Sequence, residues 1–525
     1  MNPLAENKAD VVVIGAGLGG LIAALTAAEE GADVILLSRG PLGFGTNSVL
    51  ANGIFTNISE SYDKDRYVKD ILSTGKGINS IERVRSTAAA MPSAFDFLQA
   101  IGLEFVTKPD IRIVKTDLPH VIRGIPLMKT LETAIRRASS LRYLTGFYVT
   151  DILTDRNSLW GVKGFSAEGE NRSIAAPAVI LATGGAGALY GRNDNQKTIV
   201  GQGYRLASKA GLALRDMEFV QFYPLVLSEP GFPGFIVPSP YPKELRLVSG
   251  DGKDLIDAAG AASVADAIHF SRDVLSRLVF ESEASGTFLD YSGVPSEWWE
   301  LAPFAPEMGA RIRRKPVAVS SGAHFFMGGV KIDDSCMTDL PGLFACGEIT
   351  WGLHGANRRG GNALTECIVS GRAAGRGGAD YAAQGTAKDE GGEECPFAAY
   401  ASSSSMERLR RLKANIGTIA WKRAGIVRNE NGMKEGLKET ESVAAEIASI
   451  IPASPRERRI LEDLASAAFV LRAVLTAGLA RKESRGAFFR ADHPREDDNW
   501  RCNSRTVHDE ATGLLTVDHS PAIHE

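Results

Sequence analysis

A glycine-rich turn near the start of the chain has the composition of a site for a pyrophosphate. Gly15, Gly17 and Gly20 form a G-x-G-x-x-G motif between the apolar run 11–14 and the segment 21–30, which is rich in helix-forming residues. A second apolar run, 32–37, comes next. In a strand–turn–helix–strand unit, such glycines let the backbone approach a pyrophosphate at the helix N-terminus. This order of segments favours a dinucleotide site over an ordinary glycine-rich turn.

The residue that ends the second apolar run bears on which dinucleotide is bound. An acidic side chain there normally binds the ribose hydroxyls, but this chain has Ser38, followed by Arg39. A missing acid beside an arginine is also the pattern of a site for a 2′-phosphate. Both residues are therefore expected at the cofactor, and NADP is an alternative at this point.

Further stretches accompany the first motif and favour a flavin over NADP. Three of them contain glycines and lie at 179–185, 338–348 and 353–364. Five more stretches contribute to the resemblance described next, at 216–224, 271–277, 288–290, 324–329 and 483–502. Together these stretches resemble, over nearly the whole chain, the flavoprotein family of succinate dehydrogenase, fumarate reductase and L-aspartate oxidase.

The resemblance implies FAD as the cofactor. In this family Glu348 would hold the ribityl or ribose region, and the backbone at Ala363 and Leu364 would contact the isoalloxazine. A serine such as Ser38 also occurs there at the strand end, which removes most of the argument for NADP. The residues expected at the cofactor are Gly15, Gly17, Gly20, Ser38, Arg39, Thr46, Asn47, Gly53, Thr183, Gly184, Gly185, Gln202, Glu348, Asn362, Ala363 and Leu364.

The implied chemistry is reduction of a C=C bond beside a carboxylate, or its reverse. Reduction needs a hydride at one carbon, a proton at the other, and cations that stabilise the developing negative charge. The resemblance makes Arg272 the proton donor, since the high pKa of a guanidinium suits a carbanion-like centre of low acidity. It also makes His324, as a hydrogen-bond donor, and Arg358, with its bidentate fork, the carboxylate clamps. The alternative for Arg272 is a surface helix arginine paired with Asp273.

Departures from the family pattern concern the substrate. Tyr223, another expected site residue, replaces a substrate-binding His, and the Thr-Glu pair of the family is not recognisable in 236–246. Tyr donates a hydrogen bond but has no positive charge at neutral pH, so a second carboxylate is held less firmly or is replaced by another group. The missing Glu leaves the proton relay to Arg272 unfilled, with Glu244 a nearby but unsupported substitute. Arg359 adds a cation that is either exposed or widens the preference for anions.

Two further exchanges concern the flavin. Asn47 stands where the respiratory enzymes of the family carry the His that is linked covalently to FAD. Because Asn cannot form that bond, noncovalent FAD is predicted, which by family analogy favours the reductase direction or an oxidase. Gln202 stands where relatives often have an Asp, and it can still form a hydrogen bond to the flavin.

Composition limits the location and the partners. The 525 residues have a formal net charge of -4, no basic stripe for nucleic acid and no run of 18 or more apolar residues. The first ten residues lack the apolar core of a signal peptide, so the chain is predicted to be cytoplasmic. It is also predicted to have no membrane span of its own, and to be attached to the inner face of the membrane only through a partner subunit. Five cysteines without C-x-x-C spacing indicate no zinc or iron–sulfur site, so electrons must pass to or from an outside partner, as an iron–sulfur subunit would provide. His120 and Arg123 are assigned to the surface.

The predicted fold is α/β, with a Rossmann-like FAD-binding domain, an α+β capping domain that interrupts it, and a C-terminal helical domain. The FAD-binding domain is expected at 1–228 and 316–383, the cap at 229–315, and the helical domain at 384–525. The polar segment 384–394 is interpreted as a surface linker. Helical periodicity at 409–419, 443–451 and 460–479 supports the last domain.

Three functions remain open. The first is a fumarate- or succinate-type flavin oxidoreductase that acts on a C–C bond of a small carboxylate. The second keeps the fold but oxidises the C–N bond of aspartate. The third is an electron-transfer subunit whose substrate site has decayed, which the joint retention of Arg272, His324 and Arg358 argues against. The sequence determines neither the substrate, the electron partner, the reaction direction nor the oligomeric state.

Overall fold

A computed structural model describes residues 7–522 of the protein, except for 118–120, 156–157, 231–233, 235, 301, 303, 305 and 386–399. His120, Cys395 and most of the expected linker 384–394 lie outside the described residues. Arg123, which was assigned to the surface, is half-buried at the start of a helix.

The first part of the chain contains the strand–turn–helix–strand unit that the glycine motif predicts. Its strands are short apolar runs, buried on both faces as in parallel sheets covered by helices. Its elements are β1 Val11–Ile14, α1 Leu18–Glu29, β2 Val34–Ser38, α2 Asn47–Leu50, β3 Ile54–Thr56, α3 Lys64–Thr74, α4 Ile81–Ala100, β4 Phe105–Thr107, β5 Ile111–Val114, α5 Gly124–Arg137, β6 Leu141–Thr145, β7 Tyr148–Asp155, β8 Ser158–Phe165, β9 Asn171–Ala175, β10 Ala178–Leu181, α6 Gln202–Lys209, β11 Leu214–Arg215 and β12 Val220–Leu227.

A smaller unit with its own hydrophobic core follows. Leu247, Val264, Leu275 and Leu289 lie at the centre of that core and are fully buried. Its elements are β13 Arg246–Ser249, α7 Leu255–Ala258, α8 Val264–Phe270, α9 Arg272–Glu281, β14 Thr287–Asp290, α10 Ser296–Glu300 and α11 Pro306–Ile312.

The chain then returns to the first unit and completes its sheet. The returning elements are β15 Val317–Phe326, β16 Gly329–Val330, β17 Leu343–Ala345 and α12 Asn362–Ala383. The five parallel strands have the order β17-β10-β1-β2-β6, so the edge strand β17 comes from the chain that follows the insertion. β12 and β15 belong to the same sheet as the strands of the smaller unit, in the order β12-β15-β14-β13, and β15 pairs directly with β14. Because these two strands are shared, the expected domain bounds near 228 and 316 stay predictions.

The last part of the chain packs three helices and a hairpin against the first unit. Its elements are α13 Met406–Ala424, β18 Val427–Arg428, α14 Glu430–Ala448, α15 Pro455–Ala480, β19 Phe489–Arg490, β20 Cys502–Asp509 and β21 Leu514–Pro521. Helices α13 and α15 contain the predicted periodic segments 409–419 and 460–479, whereas α14 begins well before the predicted segment 443–451 and ends at Ala448. The hairpin β20–β21 extends a sheet through β11, which helical periodicity does not predict.

Helix α15 is long and apolar enough by composition to cross a membrane, unlike the other helices in the described ranges. Its most apolar stretch has a mean hydropathy of 1.5, but 67% of that stretch is buried inside the protein. Such burial is typical of a core helix.

The element order and the sheet topology together confirm the predicted α/β fold with an inserted cap and a C-terminal helical part.

Candidate active site and cofactor site

The turn between β1 and α1 is built for close approach to a ligand. Gly15 has φ +113°, and a Cβ at either Gly15 or Gly20 would overlap a backbone carbonyl oxygen. The turn exposes the N-terminus of α1, where Leu18 N donates to Ser48 Oγ at 3.0 Å. Ser48, one residue after Asn47, is a candidate cofactor contact that sequence reasoning missed.

The stretch after β10 meets Glu348, as the sequence predicts for two parts of one cofactor site. A Cβ on Gly185 would overlap the Glu348 carboxylate, and Gly184 has φ +73°. Glu348 Oε1 accepts a hydrogen bond from Phe326 N at 3.0 Å. Burial raises the pKa of Glu348 to about 7. Thr183 Oγ1 is buried and has no partner among the described residues.

The N-terminus of α12 carries the residues expected at the isoalloxazine. Gly361, with φ +83°, precedes Asn362, Ala363 and Leu364 in the first turn of this 22-residue helix. Asn362 Oδ1 accepts a hydrogen bond from Tyr67 Oη at 2.8 Å, whereas its buried Nδ2 has no partner within the described chain. Free donors at the positive end of a long helix suit an electron-rich ring edge. The glycine cradle and the unpartnered polar atoms Thr183 Oγ1 and Asn362 Nδ2 therefore fit FAD.

The other expected cofactor residues differ in what they contact. Thr46 is the N-cap of α2, and Gly53, with φ +64°, follows that helix. Gln202 Nε2 donates to a backbone oxygen of β7 at 2.7 Å, and Ser38 Oγ donates to Gly40 O at 2.9 Å. Their roles at the cofactor stay predictions.

Arg39 binds inside the protein. Its Nη2 donates to both carboxylate oxygens of Asp463 in α15, at 2.7 and 2.6 Å, and its guanidinium lies 4.7 Å from the ring of Tyr148. Its charge is thus neutralised by the C-terminal part of the chain. The NADP alternative consequently loses the cation on which it rested.

Asn47 has both ends of its amide bonded to one neighbouring segment. Nδ2 donates to Asn195 Oδ1 at 2.6 Å, and Oδ1 accepts from Gln196 N at 2.9 Å. Asn47 thus ties two segments of the protein together at the position where the respiratory enzymes of the family carry the His that is linked to FAD. Its amide has no nucleophilic atom that could form such a bond.

We therefore expect FAD to be released when the protein is denatured. After acid precipitation the yellow chromophore should be in the supernatant, and the unfolded chain should have its unmodified mass, because Asn47 cannot bond to flavin. Absorbance of the two fractions and intact-mass spectrometry measure this. Flavin that stays in the pellet would contradict noncovalent binding.

Two buried arginines, Arg272 and Arg358, lie close together and bind the same side-chain amide. Gln221 Oε1 accepts hydrogen bonds from Arg272 Nη1 at 3.0 Å and from Arg358 Nε at 3.1 Å. Gln221 Nε2 donates to Arg358 O and to Asn357 Oδ1, which fixes the orientation of the amide. Arg272 and Arg358 are 6% and 7% exposed, and within the described chain neither forms an ion pair with a carboxylate. The arrangement offers two desolvated positive charges to an anion.

The position of Arg272 differs from a surface helix arginine. It is the first residue of α9, and its Nε donates to Ile268 O at 3.1 Å. Asp273 instead accepts a hydrogen bond from Asn357 at 3.2 Å. Burial is the main cause that lowers the pKa of Arg272, and burial followed by the nearby charge of Arg272 lowers the pKa of Arg358 to about 9.

His324 and Tyr223 lie side by side, on the paired strands β15 and β12. Their ring centroids are 5.1 Å apart, and Arg272 lies 5.3 Å from the Tyr223 ring. His324 Nδ1 is 2.6 Å from Asp194 Oδ2, and Tyr223 Oη is 2.8 Å from Tyr241 Oη. The structure thus brings together all four predicted substrate residues, Arg272, His324, Arg358 and Tyr223, although their roles stay predictions.

Two residues near the site do not lie where the sequence suggested. Arg359 is 6% exposed, and its guanidinium contacts Tyr62 and pairs with Asp110 at 2.9 Å. It is therefore neither exposed nor part of the anion site. Glu244 is exposed on the cap, so it is a poor substitute for the missing relay.

Three polar residues of the site were not singled out from the sequence: Gln221, Asp194 and Tyr241. Gln221 lies in a stretch that was matched to the family, but only its bonds to both arginines reveal its role. Asp194 and Tyr241 lie in loops without a motif. A polar side chain two residues before Tyr223 in an otherwise apolar strand is the one available signal, since strand residues i and i+2 face the same side.

Comparison with known proteins agrees with this geometry. Residues 10–364 match the family described as FAD binding domain, and residues 413–525 match that described as fumarate reductase flavoprotein C-term. The chain is 31% identical to an L-aspartate oxidase of Agrobacterium fabrum, over 93% of this chain and 91% of the relative. It is 29% identical to an uncharacterized FAD-dependent oxidoreductase of Methanocaldococcus jannaschii, over 94% and 96% of the two chains.

Solved structures show the same fold. A mutant of E. coli quinol fumarate reductase superposes with a TM-score of 0.85 at 24% identity, over 98% of this chain and 97% of the other. Sdh1 of Mycobacterium smegmatis in complex with UQ1 gives a TM-score of 0.81 at 25% identity, over 99% and 95%.

Fold, glycine cradle and matches define a flavin-dependent oxidoreductase with FAD as its cofactor. More closely, the chain belongs to the flavoprotein family of succinate dehydrogenase, fumarate reductase and L-aspartate oxidase.

Proposed function

We propose that the protein reduces, or in reverse forms, a C–C double bond adjacent to the carboxylate of a small acid. The observation that carries this proposal is the pair of buried arginines held on one amide oxygen without a carboxylate partner in the described chain. Uncompensated buried charges are costly, so such a pair is expected where an anionic ligand supplies the missing charge. The family match supplies the redox cofactor for the reaction.

Arg358 and Arg272 divide the work in this proposal. FAD, when bound, supplies or accepts the hydride. Arg358 binds the carboxylate, and its guanidinium lies over the ring of Phe325, 4.6 Å from the ring centroid, in a cation–π contact. Arg272 holds the proton for the other carbon, and burial lowers its pKa toward that of a usable acid. Gln221 keeps the two guanidinium groups at a fixed spacing.

The source of electrons is the second part of the proposal. The family includes quinol fumarate reductase, whose name identifies a quinol as its reductant. For this chain we propose an iron–sulfur partner subunit that exchanges electrons with FAD, by analogy with the respiratory members of the family. The cytoplasmic location of the chain, with attachment to the membrane only through such a partner, stays a prediction.

The experiment that tests the reaction is anaerobic. Dithionite reduces the bound flavin, the excess is removed, and fumarate, crotonate or fumaramate is added. Rapid recovery of the oxidised flavin spectrum, with formation of the saturated acid, supports the proposal. Absence of recovery with every unsaturated acid, from a protein that retains its FAD, would overturn it and favour an electron-transfer subunit.

Oxidation of a C–N bond is a second candidate, which the 31% identity to an L-aspartate oxidase favours. We expect L-aspartate to reduce the bound flavin slowly, at less than about one hundredth of the rate at which the preferred unsaturated acid reoxidises it. The reason is that Tyr223 leaves a second carboxylate without a cation. Hydrogen peroxide formed from L-aspartate in air, and anaerobic bleaching of the flavin, measure this activity. Fast turnover of L-aspartate would make C–N oxidation the function.

A further inference from the structure

The hydrogen bonds around His324 determine what this side chain offers to a substrate. A carboxylate accepts hydrogen bonds, so the short contact with Asp194 Oδ2 places the imidazole hydrogen on Nδ1. Burial lowers the pKa of His324, which keeps the ring neutral at neutral pH. A neutral imidazole with its hydrogen on Nδ1 has only a lone pair on Nε2. Nε2 has no hydrogen-bond partner within the described chain, and the side chain is 21% exposed.

The hydroxyl of Tyr223 is committed in the same way. Tyr241 Oη donates its single hydrogen to Val237 O at 2.7 Å. In the 2.8 Å contact between the two tyrosines, Tyr223 must therefore be the donor. Tyr223 Oη, like His324 Nε2, is left with lone pairs alone.

Asp194 is held firmly where it sets this pattern. Its side chain is 7% exposed, its backbone N donates to Ala323 O at 3.3 Å, and Asn195 Nδ2 donates to Oδ1 at 3.2 Å. Asn195 also donates to Ala323 O at 3.0 Å. The loop that carries Asp194 is thereby tied to β15, the strand of His324. The negative charge of Asp194 is fixed beside the two aromatic rings, on the side of the site where the family expects a second carboxylate.

We infer that the site takes an acid whose carboxylate binds Arg358, beside Arg272, and whose second arm ends in an N–H or O–H donor instead of a second carboxylate. The inference rests on the proposed function for the identity of the arginine end and goes beyond it for the other end. A carboxylate arm would present lone pairs to the acceptor atoms of Tyr223 and His324, next to the charge of Asp194. An amide, alcohol or ammonium arm would present hydrogens to the same atoms. Asp194 and Tyr241 act here through their neighbours and are specificity-determining positioning residues.

Equilibrium binding to the oxidised holoenzyme tests this inference without turnover. Saturated acids that share one carboxylate and differ in the second arm are titrated and followed by the flavin difference spectrum: succinate, succinamate, 4-hydroxybutyrate and 4-aminobutyrate. We expect at least one donor-bearing acid to bind about tenfold or more tightly than succinate, since unpaired buried polar groups are costly. The order among the three identifies amide, alcohol or ammonium as the preferred donor. Succinate that binds as tightly as all three would overturn the inference.

Two variants test the hydrogen-bond assignment independently. Tyr241→Phe frees the Tyr223 hydroxyl to donate, and Asp194→Asn removes the fixed charge and the obligatory acceptor at Nδ1. Each is expected to reduce the preference for the donor-bearing acid over succinate by about threefold to tenfold, mainly through tighter binding of succinate. The matched controls are Tyr143→Phe, whose hydroxyl accepts a hydrogen bond from Arg136, and Asp339→Asn, whose exposed carboxylate lies 3.5 Å from Lys331. If both site variants keep the wild-type ratio while retaining FAD, the inference is wrong.

The test separates this inference from the proposed function. Reoxidation of reduced flavin by fumarate, together with binding of succinate as tight as that of all three donor-bearing acids, would support the C–C chemistry and overturn the inference. Selective binding of donor-bearing acids without any reoxidation would uphold the inference about the second arm and overturn the proposed reaction.

Discussion

Replacing Arg272 with glutamine should slow reoxidation of the reduced flavin by the preferred unsaturated acid by about 10²–10⁴-fold, the usual contribution of a positioned general acid. Glutamine keeps a polar group near Gln221 but has no proton to give at this acidity. The acid should still bind, because Arg358 remains, so the loss should appear in the maximal rate more than in the half-saturating concentration. Stopped-flow absorbance of oxidised flavin measures both quantities.

Arg277→Gln is the matched control for this experiment. Arg277 lies five residues later on the same helix α9, is 31% exposed, and is 3.8 Å from Glu281. Its replacement should leave the rate within about twofold of wild type, because an exposed pair of this kind contributes little. An Arg272→Gln variant that retains FAD and reacts at the wild-type rate would remove Arg272 from the mechanism and leave Arg358 as the only cation with a role.

The fold could be predicted to a large extent because its signals are local. The turn with Gly15, Gly17 and Gly20 needs only the apolar runs on either side of it, and the periodic segments 409–419 and 460–479 need only their own spacing. The division of the FAD-binding unit by a cap followed from the order of the motifs. The hairpin β20–β21 was missed because the strand propensity of its residues is expressed only where β11 offers an edge.

The site was predicted less completely, because its chemistry is decided by partners far apart in sequence. Arg39 lies next to the cofactor turn but pairs with Asp463, 424 residues later. The tautomer of His324 is set by Asp194, 130 residues earlier. The sequence named His324 as a hydrogen-bond donor and Tyr223 as able to donate, whereas the assignment inferred above engages the hydrogens of both side chains with other protein atoms. Under that assignment, neighbours without a motif decide the hydrogen-bond roles of residues whose types match the family.

These reversed roles are coupled to the way the cap is attached. Tyr223 and His324 lie on β12 and β15, which pair with each other, and β15 also pairs with β14 of the cap. Arg272 comes from the cap itself, whereas Arg358 comes from the loop before α12. An acid bound at Arg358 beside Arg272 would therefore contact both units.

The largest effect on stability is expected from Arg481, which lies at the junction of the first and last parts of the chain. Its side chain is fully buried between Glu218 at 2.8 Å and Glu483 at 2.9 Å, both also fully buried, and it donates to two backbone oxygens of the segment 500–502. Arg481→Met would leave two buried carboxylates short of one cation. We expect the free energy of unfolding to fall by about 3–5 kcal/mol, as measured by urea denaturation of the holoenzyme.

Two comparisons show whether this loss arises from unpaired buried charge. Arg505→Met removes a pair with Asp518 in which the side chains are 44% and 60% exposed, and it should cost about 0–1 kcal/mol. The double variant Glu218→Gln with Arg481→Met removes one of the stranded carboxylates, so it should be more stable than Arg481→Met alone. A double variant that is less stable than the single one would mean that Glu218 holds the fold through Ser504, whose Oγ donates to it at 2.7 Å, more than through Arg481. In that case the hairpin, which Ser504 bonds to Asp216 and Glu218, would contribute more to holding the C-terminal part in place than the buried charge does.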